Sequence, residues 1–157
     1  MKLPIIGLSL ICIATANINT TNQASINHFK QSGMVQLNNK KIIGTCQVSG
    51  TLTGQSCALN QLLVYGDATL DDTTIQGSTQ IYGYLQAKDS KFIGTIYIKG
   101  NQIDFHHVNA NRVCVDSQQT PHVKVSGKSN IQVIEFTGKP GQVSDDGHQV
   151  KQIINHQ

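Results

Sequence analysis

A repeat of about 17 residues constrains the fold of this chain more than any other feature of its sequence. Four short blocks resemble one another, and each closes on a glycine: 44–50, 62–66, 77–83 and 94–100. An apolar residue stands two positions before each closing glycine, and the same step continues beyond them, which gives the column Val48, Val64, Ile81, Ile98, Val115, Val133 and Val150. A fixed period of this length indicates stacked repeats, because a single repeat cannot bury its own apolar face.

Two further apolar columns accompany the first one. The second column consists of Ile43, Leu59, Ile75, Phe92 and Val108. The third consists of Leu52, then Ala68 or Leu70, then Leu85. Three apolar columns per repeat predict three short strands per turn, each with alternate side chains facing inward. Glycines and Asp or Asn pairs between the columns predict the corners.

A turn of this length with three sides leaves no room for a crossover helix. The sequence therefore predicts an all-β fold, a single-stranded parallel β-helix of roughly seven coils that stack about 4.8 Å apart. The strong preference of parallel crossovers makes the expected helix right-handed. Charged residues make up only 13% of the chain, and this low fraction together with many glycines favours strands over helices.

The first 16 residues have the pattern of a secretory signal peptide. Lys2 precedes an apolar run at 5–13, and Ala-Thr-Ala at 14–16 is a cleavage site. The run is shorter than the roughly 20 residues of a membrane-spanning helix. We expect a signal peptide at 1–16, an N-terminal segment or cap at 17–34, and a β-helix domain at 35–157 with irregular C-terminal coils. The mature chain is then exported to the periplasm, the outer surface or the medium, without a transmembrane segment.

The coil pattern G-[ST]-x-x-[VI]-x-G-x-L-x-A occurs at 77–87 and in part at 44–54. It resembles the polymer-forming, bactofilin-type β-helices, and it resembles small secreted bacterial β-helix proteins of unassigned function even more. The resemblance covers about residues 33–155 and implies a β-helix that polymerises. Bactofilins are cytoplasmic scaffolds without a cleaved signal, so this chain departs from them at its N-terminus.

Tyrosines form the main surface feature that the repeat predicts. Alternation places Tyr65, Tyr82 and Tyr97 outward, as a ladder with one ring per coil, and Tyr84 lies just across a corner. Such a ladder either stabilises the sheet through cross-strand contacts or forms a flat face for binding or self-association.

Three cysteines follow the predicted cleavage site. Alternation places Cys46 in the core and Cys114 outward, beside Tyr97. Four coils, or about 19 Å, separate Cys46 from Cys114, which is too far for a disulfide. Cys46 and Cys57 lie within one turn and could pair, while Cys114 could pair with a second chain. Lipidation of Cys12 is a further alternative, although Ile11 is not the small residue that usually precedes a lipidated cysteine.

The 17-residue step also places Asp72, Asp89 and His106 at one corner. Their oxygen and nitrogen atoms are ligand types for a divalent ion, although Asp is common at turns in any case. The single arginine, Arg112, and the scattered lysines exclude a nucleic-acid-binding surface of the usual kind. No cofactor is predicted.

Two hypotheses about function follow from these features. The first is an exported, non-enzymatic structural or interaction protein that forms a homo-oligomer or polymer, or binds an envelope or host surface, through Tyr65, Tyr82, Tyr97 and Cys114. The alternative is a small carbohydrate-active or metal-dependent enzyme that uses the corner with Asp72, Asp89 and His106. A passive envelope filler without a specific partner is a third possibility.

Overall fold

The computed structural model describes residues 16–17 and 25–156, and the regular structure of these residues is β throughout. Parallel strands about 17 residues apart build a solenoid of about eight turns. The predicted all-β parallel solenoid is thereby confirmed, with one turn more than expected. The predicted signal peptide lies outside the described residues except for Ala16. Within the described part of the chain, no helix has the length and apolar character needed to cross a membrane.

The strands follow one another with short corners between them. They are β1 (Ala16–Asn17), β2 (Ser25–Ile26), β3 (Phe29–Asn38), β4 (Lys41–Gln55), β5 (Ala58–Tyr65), β6 (Ala68–Asp71), β7 (Thr74–Ile75), β8 (Thr79–Ile81), β9 (Leu85–Lys88), β10 (Lys91–Phe92), β11 (Ile96–Ile98), β12 (Gln102–His106), β13 (Asn109–Val115), β14 (His122–Ser126), β15 (Asn130–Phe136), β16 (Gln142–Asp145) and β17 (Val150–Asn155). Because β3 pairs with β4 along its whole length, parallel pairing already includes part of the segment 17–34.

Each turn has three sides, and equivalent segments of successive turns pair in register. Side 1 contains 29–32, 45–49, 61–65, β8, β11, 112–115, 133–136 and the end of β17. Side 2 contains 35–38, 52–55, β6, β9, β12, β14 and β16. Side 3 contains β2, 41–42, 58–59, β7, β10, 109–110 and 130–131.

The first predicted core column is correct from Val48 to Val115, but it does not continue to Val133. Phe136 follows Val115 in register and is fully buried, whereas Val133 is half-buried and pairs with Arg112. The predicted Val150 belongs to side 3 instead, where it pairs with Ile131. The column shifts because the coil that follows Val115 is longer than the earlier ones.

The second predicted column needs two corrections. Ile42, not Ile43, pairs with Leu59, because the register shifts between Ile42 and Thr45 and leaves Ile43 exposed. Ala110, not Val108, pairs with Phe92; Val108 is buried but lies at the corner before β13. In the third column, Ala68 and not Leu70 connects Leu52 with Leu85. Leu70 also points inward, in a parallel column with Ala87.

Glycines at the corner between sides 1 and 2 allow the coils to stack closely. Gly50 and Gly66 have positive φ angles of 137° and 140°. A Cβ atom at Gly66 would lie 2.0 Å from the carbonyl oxygen of Gly50, and one at Gly50 would lie 2.3 Å from that of Gly33. Each coil therefore occupies the space that a side chain on the next coil would need.

Candidate functional site

The outward surface of side 1 carries a stack of two tyrosines that continues into an ion pair. The rings of Tyr65 and Tyr82 stack with their centroids 4.9 Å apart and an interplanar angle of 25°. Lys99 comes next in this row. Its backbone N–H donates to the carbonyl oxygen of Ile81, in the same way that the N–H of Tyr82 donates to the carbonyl oxygen of Val64. The Nζ atom of Lys99 lies 5.9 Å from the centroid of the Tyr82 ring and 3.9 Å from the carboxylate of Asp116.

Tyr97 does not belong to this stack, so the predicted ladder of three tyrosines is wrong. Tyr97 pairs with Gln80 on one side and with Cys114 on the other, in a row beside that of Tyr65 and Tyr82. Lys99 lies one full coil beyond Tyr82. Tyr97 precedes Lys99 by two residues, so the side chains of both point outward. The predicted position of Cys114 beside Tyr97 is confirmed. We call the outward surface formed by Tyr65, Tyr82, Tyr97, Lys99 and Cys114 the tyrosine face.

A buried carboxylate lies at the C-terminal end of the tyrosine face. Glu135 follows Cys114 in the same row, and its side chain is only 10% exposed although it points outward. Arg112 covers it with bonds from Nη2 and from Nε, the latter at 2.9 Å, and His156 Nε2 lies 2.6 Å from the other oxygen. The thiol of Cys114 is 3.6 Å from the oxygen that Arg112 binds.

These contacts determine the ionisation of the cluster. Hydrogen bonds from Arg112, and then from His156, hold the pKa of Glu135 below its ordinary value. The bond to Glu135 in turn raises the pKa of Arg112. Burial is the main cause of the raised pKa of Cys114, so its thiol stays protonated at neutral pH.

Sequence reasoning missed the pair of Arg112 with Glu135, although the sequence holds a signal for it. The chain contains a single Arg and a single Glu, and the structure brings these two together. They are 23 residues apart, which does not match the regular repeat. The register of the lengthened coil was needed to place them on neighbouring strands.

A groove runs beside Tyr97, where the two outward rows meet. Its volume is about 470 Å³, which lies within the range of small-molecule sites. The chemically distinctive side chains that line it are those of Tyr97, Lys99, Arg112, Cys114, Asp116 and Glu135, and two threonines, Thr95 and Thr137, add to them. Two cations and two anions in opposite-charge pairs make the groove polar without a strong net charge.

The three cysteines of the described part of the chain are free. Cys46 is fully buried in the side 1 core, as predicted, and burial raises its pKa to about 12. The thiol of Cys57 donates to the carbonyl oxygens of Leu37 and Gln55, at 3.3 and 3.2 Å. Both thiols therefore act as small core groups rather than as reactive ones.

The predicted metal corner is assembled differently. Asp72 and Asp89 do occupy equivalent corner positions, with φ angles of 49° and 48°, but the third residue is His107, at 54°, and not His106. His107 Nδ1 lies 3.1 Å from Asp89, whereas His106 lies on side 2 and bonds Ser126 at 3.0 Å. The predicted step of 17 residues leads from Asp89 to His106, but this coil has one residue more, so 18 residues separate Asp89 from His107.

This corner has a conformational role. Apart from glycine, Asn, Asp and His adopt a left-handed backbone most readily, which accounts for Asp72, Asp89 and His107 at this corner. The carboxylate of Asp72 accepts a bond of 3.0 Å from Ser56 Oγ. Within the described residues, no group of three or more His, Cys, Asp or Glu side chains is placed to hold a metal ion.

Comparison with protein-family models, with curated proteins and with solved structures found no match. The resemblance to bactofilin-type β-helices therefore stays a prediction. What defines the class of this protein is its fold, a parallel β-solenoid with tyrosines exposed on one side.

Proposed function

We propose that this protein is an exported, non-enzymatic interaction protein whose tyrosine face binds an envelope or host surface or a second copy of the chain. The observation that carries the proposal is the exposure of Tyr65, Tyr82 and Tyr97, at 47%, 40% and 49%, on one side of the solenoid. Tyrosine is enriched in contact surfaces because it offers a large apolar area with a polar end. Singly exposed apolar residues are common, but three tyrosines on one sheet face are not scattered.

Rigidity supports the same proposal. The inward neighbours of the tyrosines, Val64, Ile81 and Ile98, are buried to within 1% of their surface. The tyrosines are therefore held on strands whose other surface is packed in the core. A partner that binds such a face does not have to order a loop, and this lowers the entropy cost of association.

The ionisation of the cluster supports a role without catalysis. A nucleophilic cysteine requires a thiolate, and burial raises the pKa of Cys114. A general base requires a pKa near the working pH, and the pKa of Glu135 is instead lowered by Arg112. Both groups suit a structural cluster better than acid–base or covalent chemistry.

Light scattering coupled to size-exclusion chromatography, together with co-sedimentation with isolated cell envelopes, tests the interaction. We expect the wild-type protein to self-associate or to co-sediment, and the double variant Tyr65→Ser/Tyr82→Ser to lose that property. The control is Gln86→Ser, an exposed change on side 2, which should behave as the wild type. A wild-type protein that is monomeric and does not co-sediment would refute the proposal. Loss of association with reductant would assign the contact to Cys114.

Cell fractionation tests export separately. We expect a shortened chain, cleaved after Ala16, outside the cytoplasm. A full-length chain that stays in the cytoplasm would contradict the exported part of the proposal, whatever the tyrosine face binds.

A further inference from the structure

We propose that the groove beside Tyr97 is a binding site for a neutral saccharide. We call it the saccharide groove and define it by Tyr97, Lys99, Arg112, Asp116 and Thr137. This inference rests on the proposed function, because it names the ligand class of one part of the tyrosine face.

Tyr97 differs from the other two tyrosines of the face in the availability of its ring. Tyr65 and Tyr82 stack on each other, and Lys99 lies over the ring of Tyr82. Tyr97 makes no ring contact with another aromatic side chain of the described residues, is 49% exposed and lines the groove. Its ring can therefore pack against the C–H surface of a sugar, whereas the Tyr82 ring already stacks on Tyr65 and has Lys99 Nζ 5.9 Å from its centroid.

The charges of the groove favour a neutral ligand over an ionic one. Lys99 is 3.9 Å from Asp116, and Arg112 is bound to Glu135, so each cation has an anion beside it. A strongly anionic ligand would be attracted by the two cations and repelled to a comparable degree by the two carboxylates. For a cationic ligand the carboxylates would attract and the cations would repel. The groove thus lacks the unbalanced charge that selects an ion.

Hydrogen-bonding capacity favours hydroxyl groups in particular. Guanidinium has five N–H donors, and Arg112 directs two of its nitrogens at Glu135, so donors are left for a ligand. The side chains of Lys99 and Asp116 are 62% and 47% exposed, which leaves a further donor and an acceptor open. Thr137 both donates and accepts. A sugar hydroxyl also does both, so adjacent hydroxyls satisfy the mixed set.

Isothermal titration calorimetry with defined hexasaccharides tests the inference. Cellohexaose, chitohexaose and maltohexaose are the neutral probes, and hexagalacturonate is the anionic probe. We expect at least one neutral hexasaccharide to bind the wild-type protein more tightly than hexagalacturonate does. The variant Tyr97→Ala should lower its affinity at least tenfold, and Asp116→Leu, which removes the acceptor with little change in side-chain size, should lower it as well.

Gln86→Ala is the control, because Gln86 is exposed on side 2 and lies outside both the groove and the tyrosine face. It should bind the neutral hexasaccharide with the wild-type affinity. Absence of binding for all three neutral probes would overturn the inference, and so would tighter binding of hexagalacturonate. Equal losses in Tyr97→Ala and Gln86→Ala, or an unchanged affinity in Asp116→Leu, would also overturn it. Self-association or envelope co-sedimentation without saccharide binding would leave the proposed function standing and remove only this inference.

Discussion

Truncation of Phe136 and of Val133 measures the register of the lengthened coil directly. Phe136 is fully buried and continues the core column after Val115, so Phe136→Ala should lower the free energy of unfolding by about 3–5 kcal/mol. Val133→Ala removes two methyl groups that are partly exposed, so at about 0.8 kcal/mol per fully buried group the loss should stay below about 1.6 kcal/mol. The loss in Phe136→Ala should therefore be about twice as large or more.

Urea unfolding followed by far-ultraviolet circular dichroism measures both changes, and thermal unfolding gives a second readout. At roughly 2–4 °C per kcal/mol for a domain of this size, Phe136→Ala should lower Tm by about 6–20 °C. Phe136→Leu serves as the control, since a similar apolar side chain should lose less than about 1.5 kcal/mol. A larger loss in Val133→Ala than in Phe136→Ala would refute the register and restore the regular repeat.

Three further predictions follow from the corners, the buried carboxylate and the thiols. Gly66→Ala places a Cβ where φ is 140° and should destabilise the protein by more than the strain of about 1–3 kcal/mol, while Gly147→Ala, whose Cβ would make only an ordinary van der Waals contact with the Gln149 side chain at 3.4 Å, should leave Tm nearly unchanged. Because the folded-state pKa of Glu135 is lowered, its stabilising contribution is complete above its ordinary pKa and declines as pH falls below it. The stability difference between wild type and Glu135→Gln, from urea unfolding, should thus be larger at pH 7 than at pH 3; an equal difference would contradict the pairing. In native protein, a thiol reagent followed by mass spectrometry should modify Cys114 faster as pH rises and leave Cys46 unmodified until unfolding; early labelling of Cys46 would argue against its burial.

Apolar periodicity was sufficient to predict the fold, because a solenoid repeats the same burial pattern in every coil. The step from Val48 to Val115 is regular, and each residue in that column is buried as predicted. The number of inward segments per repeat also predicted the three sides. These features depend on alternation along a strand, which a sequence displays directly.

Register beyond the regular coils could not be predicted, because extra residues at a corner are not distinguishable from strand residues by composition. Five positions separate Ile98 from Ile103, whereas eight separate Val115 from Val123 in the next coil. The polar residues 116–120 and Pro121 form this longer corner, and the added length shifts the columns that follow it. Val133 was assigned to the core for this reason.

The candidate site, like the fold, could be predicted from the sequence only in part. Alternation correctly predicted that Tyr65, Tyr82, Tyr97 and Cys114 point outward, but it does not determine which outward row each one occupies. The pair of Arg112 with Glu135 and the groove beside Tyr97 depend on contacts across coils of unequal length. Such contacts become visible only when the register of each coil is known.

The exposed residues of β17 predict a gradient of local stability along the solenoid. Ile153 continues the inward column of Ile134, yet it is 48% exposed, because no described strand pairs with the far edge of β17. Since each coil contacts only its neighbours, we expect unfolding that starts at the exposed edge of β17 to spread coil by coil. The bond between His156, which follows β17, and Glu135 on β15 connects the last described coil to the preceding one. Tyr65 and Tyr82 lie several coils away from β17, so we expect this part of the tyrosine face to keep its shape when the last described coil unfolds locally.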